Sequence, residues 1–319
     1  MSAFTPPALL RNPHAQTLLA STAPRKLPLL WRTRGFRAAA GDVVLDCSGD
    51  VRLHGFFNPR GGEKLAILLH GWEGSGNSPY LLSNAQTLYN AGFSVFRLHL
   101  RDHGPSHALN RELYHSARLQ EVVDAVAEIQ RRFPHERTFL AGHSLGGNFA
   151  LRVAARAPAA GISLERVVTI CPVLEPAHTM QRLMEGSFIY HQYFLRRWKK
   201  SLSLKLQHFP DLGYGSDLLK LHSLEAMNNY FVPRFTEFAA VDRYFDAYAV
   251  TGDTLAGLAV PTHIILSLDD PMIPAVDLPK LAQSPCLTLE TPQHGGHCGF
   301  IQNWRFTGWI DQRLRELMA

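Results

Sequence analysis

Thr138-Phe139-Leu140-Ala141-Gly142-His143-Ser144-Leu145-Gly146-Gly147-Asn148 decides the architecture of this 319-residue chain. A short apolar run leads into a serine flanked by glycines, and a helical pattern closed by Pro158 follows. The run predicts a buried strand, and the residues from Gly146 predict a helix. Gly142-His143-Ser144-Leu145-Gly146 has the form G-x-S-x-G. A serine at a sharp strand-to-helix turn has a strained backbone, and glycines two residues either side leave room for the turn and for close helix–strand packing. The helix N-terminus beneath it offers free N–H groups and a positive dipole end, which favour an oxyanion. Ser144 is therefore the candidate nucleophile, and the amide of Leu145 a candidate oxyanion donor. A structural serine in a glycine-rich turn is the plainer alternative, and the strand before and helix after argue against it.

Working outward, residues 65–69 are an unbroken apolar run ending at His70-Gly71, and residues 93–100, 167–171, 263–266 and 287–289 are further strand candidates. Residues 43–47 and 51–57 flank Ser48-Gly49-Asp50 as a hairpin. Helical patterns at 79–90 and 119–129 separate the strands. Alternating short strands and helices predict a mainly parallel central sheet with helices on both faces. From 172 to 258 the pattern becomes aromatic and mostly helical, which predicts a lid inserted over the C-terminal edge of the sheet. The expected division is an N-terminal extension, 1–40, packed on a core of 41–171 and 259–319, with the helical lid or cap at 172–258.

A nucleophilic serine needs a base, and the base an orienting acid. His70-Gly71-Trp72-Glu73-Gly74 directly follows the 65–69 strand, where the second oxyanion donor of this fold sits, so the Trp72 amide is the expected partner of Leu145. A tight turn that merely needs Gly71 is the alternative. Leu268-Asp269-Asp270-Pro271-Met272-Ile273-Pro274 lies just past a strand and supplies the acid. Similar hydrolases place the acid in Asp-Pro-x-x-Pro, which favours Asp270; Asp269 is the alternative and otherwise caps the loop. Gln293-His294-Gly295-Gly296-His297-Cys298 supplies the base. His297 is favoured because it follows the double glycine and is expected to precede a helix; His294 is the alternative. The order serine, aspartate, histidine is that of the α/β-hydrolase fold. Metal ligation by His294, His297 and Cys298 fits no common spacing, and no cofactor or metal is expected. His99, Asp102, His103, His107 and His115 are read as loop or supporting residues.

Several segments resemble the YheT-like hydrolases, the AB hydrolase 4 family. They are Arg11-Asn12-Pro13-His14-Ala15-Gln16-Thr17-Leu18, the run from His70 to Tyr80, Tyr114-His115-Ser116, the run from Gly142 to Asn148, Asp269-Asp270-Pro271, and the run from Gly295 to Phe300. The first two separate this family from general esterases. The resemblance implies an α/β-hydrolase fold, carboxylic-ester hydrolysis, and Ser144, Asp270 and His297 as the catalytic triad. It also implies a place in lipid metabolism, since eukaryotic relatives act on acylglycerols or phospholipids. Those relatives often carry an N-terminal membrane anchor, which is not expected here. Trp72 replaces the family's common leucine, and residues 236–258 lack its usual tyrosine-and-glycine pattern; both positions bear on the pocket.

Composition narrows the remaining classes. The chain is 46% hydrophobic and 18% charged, with a net charge of +5. Its length buries a core without disulfide or metal. Cys47, Cys171, Cys286 and Cys298 form no C-x-x-C pair, which suits a reducing compartment. The densest basic run, Arg196-Arg197-Trp198-Lys199-Lys200, reads as a solvated helix face or as a contact with an anionic lipid surface. No stretch approaches the length of a membrane span, and the proline-interrupted N-terminus lacks a signal-peptide core. The expectation is a cytoplasmic serine esterase acting on small-molecule or lipid esters with apolar acyl chains. It needs no nucleic acid, has no transmembrane segment and leaves peripheral membrane contact open; nothing fixes its oligomeric state. The same triad would serve acyl transfer, and a non-catalytic ligand receptor on this fold is the alternative from another class.

Overall fold

The computed structural model describes residues 4–319. Among them, eight strands form one sheet in the order β1-β2-β4-β3-β5-β6-β7-β8. β1 (Gly41–Asp46) and β2 (Arg52–Asn58) pair antiparallel around Gly49 and Asp50, both with positive φ. β2 pairs antiparallel with β4 (Ser94–Leu98). From there the sheet is parallel through β3 (Lys64–Leu69), β5 (Arg137–His143), β6 (Arg166–Ile170), β7 (Thr262–Ile265) and β8 (Leu287–Glu290). The inner parallel strands are buried nearly end to end, which is why they read as unbroken apolar runs.

Helices cover both faces. The N-terminal residues form α1 (Pro13–Ser21), α2 (Ala23–Arg32) and α3 (Arg34–Ala38). α1 starts where Asn12 accepts the Ala15 amide at 3.0 Å and Pro13 sets the first helical φ. α4 (Pro79–Asn90) packs against α2 and against α12 (Trp309–Leu317), and α5 (Leu119–Arg132) packs against α6 (Leu145–Arg156). Asp311 of α12 accepts from Ser83 and Asn84 of α4, at 2.7 and 2.6 Å.

Between β6 and β7 lie α7 (Pro176–Glu185), α8 (Phe188–His208), α9 (Gly215–Lys220), α10 (Leu224–Phe235) and α11 (Val241–Asp246). The buried Lys205 ammonium of α8 donates to Asp102, just past β4, at 2.7 Å. Removing either member of so buried a pair leaves an uncompensated charge. No helix among the described residues is long and apolar enough to cross a membrane.

Strand order places the site. After β3 the chain moves to one side to make β4, then returns to the other side for β5. The carboxyl ends of β3 and β5 therefore flank the point where the winding reverses, where a crevice opens in such sheets. The His70–Gly74 segment leaves β3 there, and Ser144 leaves β5.

Candidate active site

Ser144 sits between β5 and α6 with φ 53° and ψ −120°, a conformation costly for any residue with a side chain. Its neighbours explain why the turn survives. A Cβ on Gly142 would stand 2.1 Å from the Gly146 carbonyl oxygen, and one on Gly146 would stand 2.3 Å from that of His70. Both contacts are with backbone, which cannot step aside, so the two glycines are a packing requirement. Leu145 opens α6, so its amide has no helical acceptor.

The expected side chains meet at this turn. Ser144 Oγ lies 2.9 Å from His297 Nε2, and His297 Nδ1 lies 2.9 Å from Asp270 Oδ2. The buried Asp270 carboxylate accepts only, so Nδ1 carries the proton and Nε2 is left to accept from the serine hydroxyl. Asp270 Oδ1 accepts from the amides of Met272 and Ile273, at 2.8 and 2.9 Å, which fixes the carboxylate in its Asp-Pro-x-x-Pro loop. Burial disfavours a charged imidazole at His297. The Asp270 carboxylate and the neighbouring Cys298 outweigh it, and the pKa lies well above that of a free histidine.

The alternatives of the sequence reading occupy different places. Asp269 Oδ1 accepts the Gly296 amide at 2.9 Å, and its other oxygen lies 3.4 Å from His294 Nδ1. Asp269 thus holds the loop that carries His297. One expectation is corrected: no helix directly follows His297. Residues 297–299 are turns, Phe300 has a positive φ, and α12 begins only at Trp309. The positive φ of Gly296, Cys298 and Phe300 interrupts any helical run here.

Sequence reasoning missed what holds the turn. Thr17 Oγ1 accepts the His297 amide at 2.9 Å while donating to Pro13 at 2.7 Å. The buried Gln16 amide donates to the carbonyls of Leu10 and Ile301, and its oxygen accepts the Ile301 amide at 2.7 Å. His14 Nδ1 lies 2.8 Å from the Tyr190 hydroxyl of α8. The N-terminal Asn-Pro-His-Ala-Gln-Thr segment therefore braces the histidine loop and touches the β6–β7 insertion. The signal was in the sequence, but its partner lies 280 positions away.

The loop after β3 is held from beneath by neutral imidazoles. His103 Nδ1 donates to the Arg101 carbonyl at 2.7 Å, so Nε2 accepts the Glu73 amide at 3.0 Å. His99 Nε2 accepts the Gly76 amide at 2.8 Å, which makes its Nδ1 the donor to His54 Nδ1 at 3.0 Å; His54 Nε2 then donates to Asp42 at 2.9 Å. Burial holds both His99 and His103 far below the ordinary histidine pKa, as neutral acceptors require. From above, Phe194 of α8 stacks on Trp72 with centroids 5.1 Å apart, and Arg197 donates to the Glu73 carbonyl.

Trp72, Leu145, Ser144 and His297 open on one pocket enclosing about 960 Å³, its mouth included. The core side adds Val173, Met272 and Ile273, and the insertion adds Leu183, Phe194, Trp198, Leu202 and Phe231. Among the described residues no Lys, Arg, Asp or Glu lines it; His115, pushed down to about 3 by burial, is neutral there. Behind the site, the ligand atoms of Cys171, His297 and Cys298 lie within 4.8 Å of one another. Both ring nitrogens of His297 already have partners in Ser144 and Asp270, so a metal would have to displace one of them.

A family model described as alpha/beta hydrolase fold matches residues 65–303. The chain is 27% identical over 328 aligned positions to "Putative esterase YheT" of Escherichia coli (strain K12), covering 99% of this chain and 93% of that one. It is 21% identical to "Phospholipase ABHD3" of Homo sapiens, covering 95% of this chain and 75% of that protein. Among solved structures, the Pyrococcus furiosus esterase Pf2001 superimposes with a TM-score of 0.61 at 16% identity, over 88% of this chain and 91% of that one. With an elbow serine, a mostly parallel sheet and a family match that runs from β3 to beyond His297, this chain belongs to the alpha/beta hydrolase fold family.

Proposed function

We propose that the protein is a serine esterase that cleaves carboxylic esters with apolar acyl chains through an acyl-enzyme. The observation that carries this reading is the unbroken hydrogen-bond relay Ser144–His297–Asp270, opening on a pocket that, among the described residues, no Lys, Arg, Asp or Glu lines. His297 takes the Ser144 proton as Oγ attacks the ester carbonyl, and Asp270 holds the imidazole in the tautomer that can accept it. The amides of Trp72 and Leu145 receive the oxyanion; one such donor is worth about 3 kcal/mol at the transition state. His297 then returns its proton to the departing alcohol. It next activates water, which hydrolyses the acyl-serine and restores the enzyme. Residues 172–258 act as the lid, and their aromatic side chains receive the acyl chain. The phospholipase name of one relative fits a lipid ester, and the uncharged lining fits its acyl rather than its phosphate portion.

A series of p-nitrophenyl esters of increasing chain length tests the reading. Hydrolysis should favour medium or long chains over acetate in kcat/KM. Ser144→Ala should lower turnover by about 10⁴-fold or more. A folded Ser144→Ala protein with full activity would overturn it.

A further inference from the structure

α8 has two faces of opposite character. Phe194, Trp198 and Leu202 point into the pocket. Ile189, Tyr193, Arg196 and Lys200 recur at intervals of four, three and four residues, so they form one stripe on the other side. This stripe is exposed: Ile189 is 58% and Tyr193 49% accessible, and Arg196 and Lys200 are likewise in solvent. Phe188, 73% accessible, and Met184 flank the Gly186-Ser187 turn between α7 and α8, which makes the tip a cluster of exposed apolar side chains.

The charges around the tip indicate what covers it. Arg182, Arg196 and Lys200 are exposed and have no ion-pair partner among the described residues, while the nearby acid Glu185 is bonded by Gln181. Arg196 lies about 10 Å along α8 from Ile189. An interfacial helix sinks its apolar part roughly 5–10 Å into the boundary of headgroups and acyl chains. When Phe188, Ile189 and Tyr193 reach that depth, Arg196 and Lys200 arrive at the phosphates. A second copy of the chain fits less well, because a two-fold contact through the stripe would bring unpaired cations together.

We propose that the α7–α8 tip docks on an anionic phospholipid bilayer, with its apolar side chains inserted and its cations on the headgroups. The opposite face of the same helix then receives the acyl chain of an ester drawn from that surface. The purpose of the contact rests on the esterase reading; the contact itself does not.

Co-sedimentation of the full chain with vesicles of ether-linked phosphatidylcholine, with and without ether-linked phosphatidylglycerol, tests the docking. These lipids carry no ester, so binding is read apart from hydrolysis. The protein should bind the phosphatidylglycerol vesicles and release them as salt rises. Phe188→Glu/Ile189→Glu and Arg196→Glu/Lys200→Glu should each weaken binding roughly tenfold or more. Both variants should hydrolyse a soluble short-chain ester at the wild-type rate, since none of the four side chains lines the pocket. Absence of binding to the anionic vesicles, or binding unchanged in both variants, would overturn the proposal. So would a dimer by light scattering that Phe188→Glu/Ile189→Glu splits without any vesicle binding. Loss of ester turnover in the wild type would instead sink the hydrolase reading and leave the docking result intact.

Discussion

At the scale of single residues, Asp269 and Asp270 are adjacent carboxylates with different work, because their loops present them to different donors. Asp270 faces His297 Nδ1, and Asp269 faces the Gly296 amide. Asp270→Asn presents an amide that no longer enforces the productive tautomer, so kcat should fall about 10⁴-fold with the fold intact. Asp269→Asn loses one charge-assisted bond to a loop, and should cost about 1–3 kcal/mol of stability with far less effect on kcat. Comparable losses of kcat in the two variants would contradict this assignment. The pH profile gives a second check. In the proposed mechanism His297 must be neutral to accept the serine proton, and the Asp270 carboxylate holds its pKa above the ordinary value. Activity should therefore rise with pH along a limb centred above about 6.5. In Asp270→Asn the residual activity should show that limb displaced to lower pH. The convergence of Ser144, His297 and Asp270 was legible because each lies in a short motif whose spacing is set by local backbone. Thr17 and Gln16 were not, because they act on a loop nearly the whole chain away.

At the scale of elements, the strands and flanking helices were readable because burial on both faces leaves unbroken apolar runs, and the helices repeat at 3.6 residues. The run of helices between β6 and β7 was readable as a break in that alternation. The support of the loop after β3 was not, since it depends on His99 and His103 arriving beneath it from the end of β4. In their neutral form these imidazoles fix the Glu73 and Gly76 amides, and so the turn that carries the Trp72 amide. His103→Phe keeps a planar ring but leaves the Glu73 amide without its acceptor. On the proposed oxyanion role of the Trp72 amide, the expected result is a fall in kcat of about 10–100-fold with little change in KM, because such a donor serves the transition state more than the bound ester. A rise in KM at constant kcat would place His103 in ground-state binding instead. On the opposite side of the site, Thr17→Val removes the acceptor of the His297 amide and should cost about 1–3 kcal/mol, read as a lower kcat and a lower melting temperature together.

At the scale of the whole molecule, the fold depends on keeping several histidines uncharged in its interior. Burial pushes His70 down to about 4 and His143 down to about 3, and holds His99 and His103 lower than a free imidazole as well. Above the unfolded value of about 6.5 both states are neutral and no stability is at stake. As pH falls below that value the unfolded chain takes up protons that the folded chain refuses. Stability is therefore lost from about 6.5 downward, until pH reaches the folded pKa. Glu73 acts in the other sense: burial raises its carboxyl to about 8, so it favours the folded state as pH falls. A difference between two proteins separates these opposing contributions. His143 packs against Tyr80 at a centroid distance of 4.7 Å, and its Nδ1 has no hydrogen-bond partner among the described residues. His143→Phe should keep that packing and remove one titrating group. Between pH 7 and pH 5 the wild type should lose about 2 kcal/mol more stability than His143→Phe. That is a difference of about 3 °C in the shift of melting temperature for a chain of this size. Glu73 and the other buried groups are common to both proteins and cancel. Equal shifts in the two proteins would show that His143 is not held neutral by its burial in the fold.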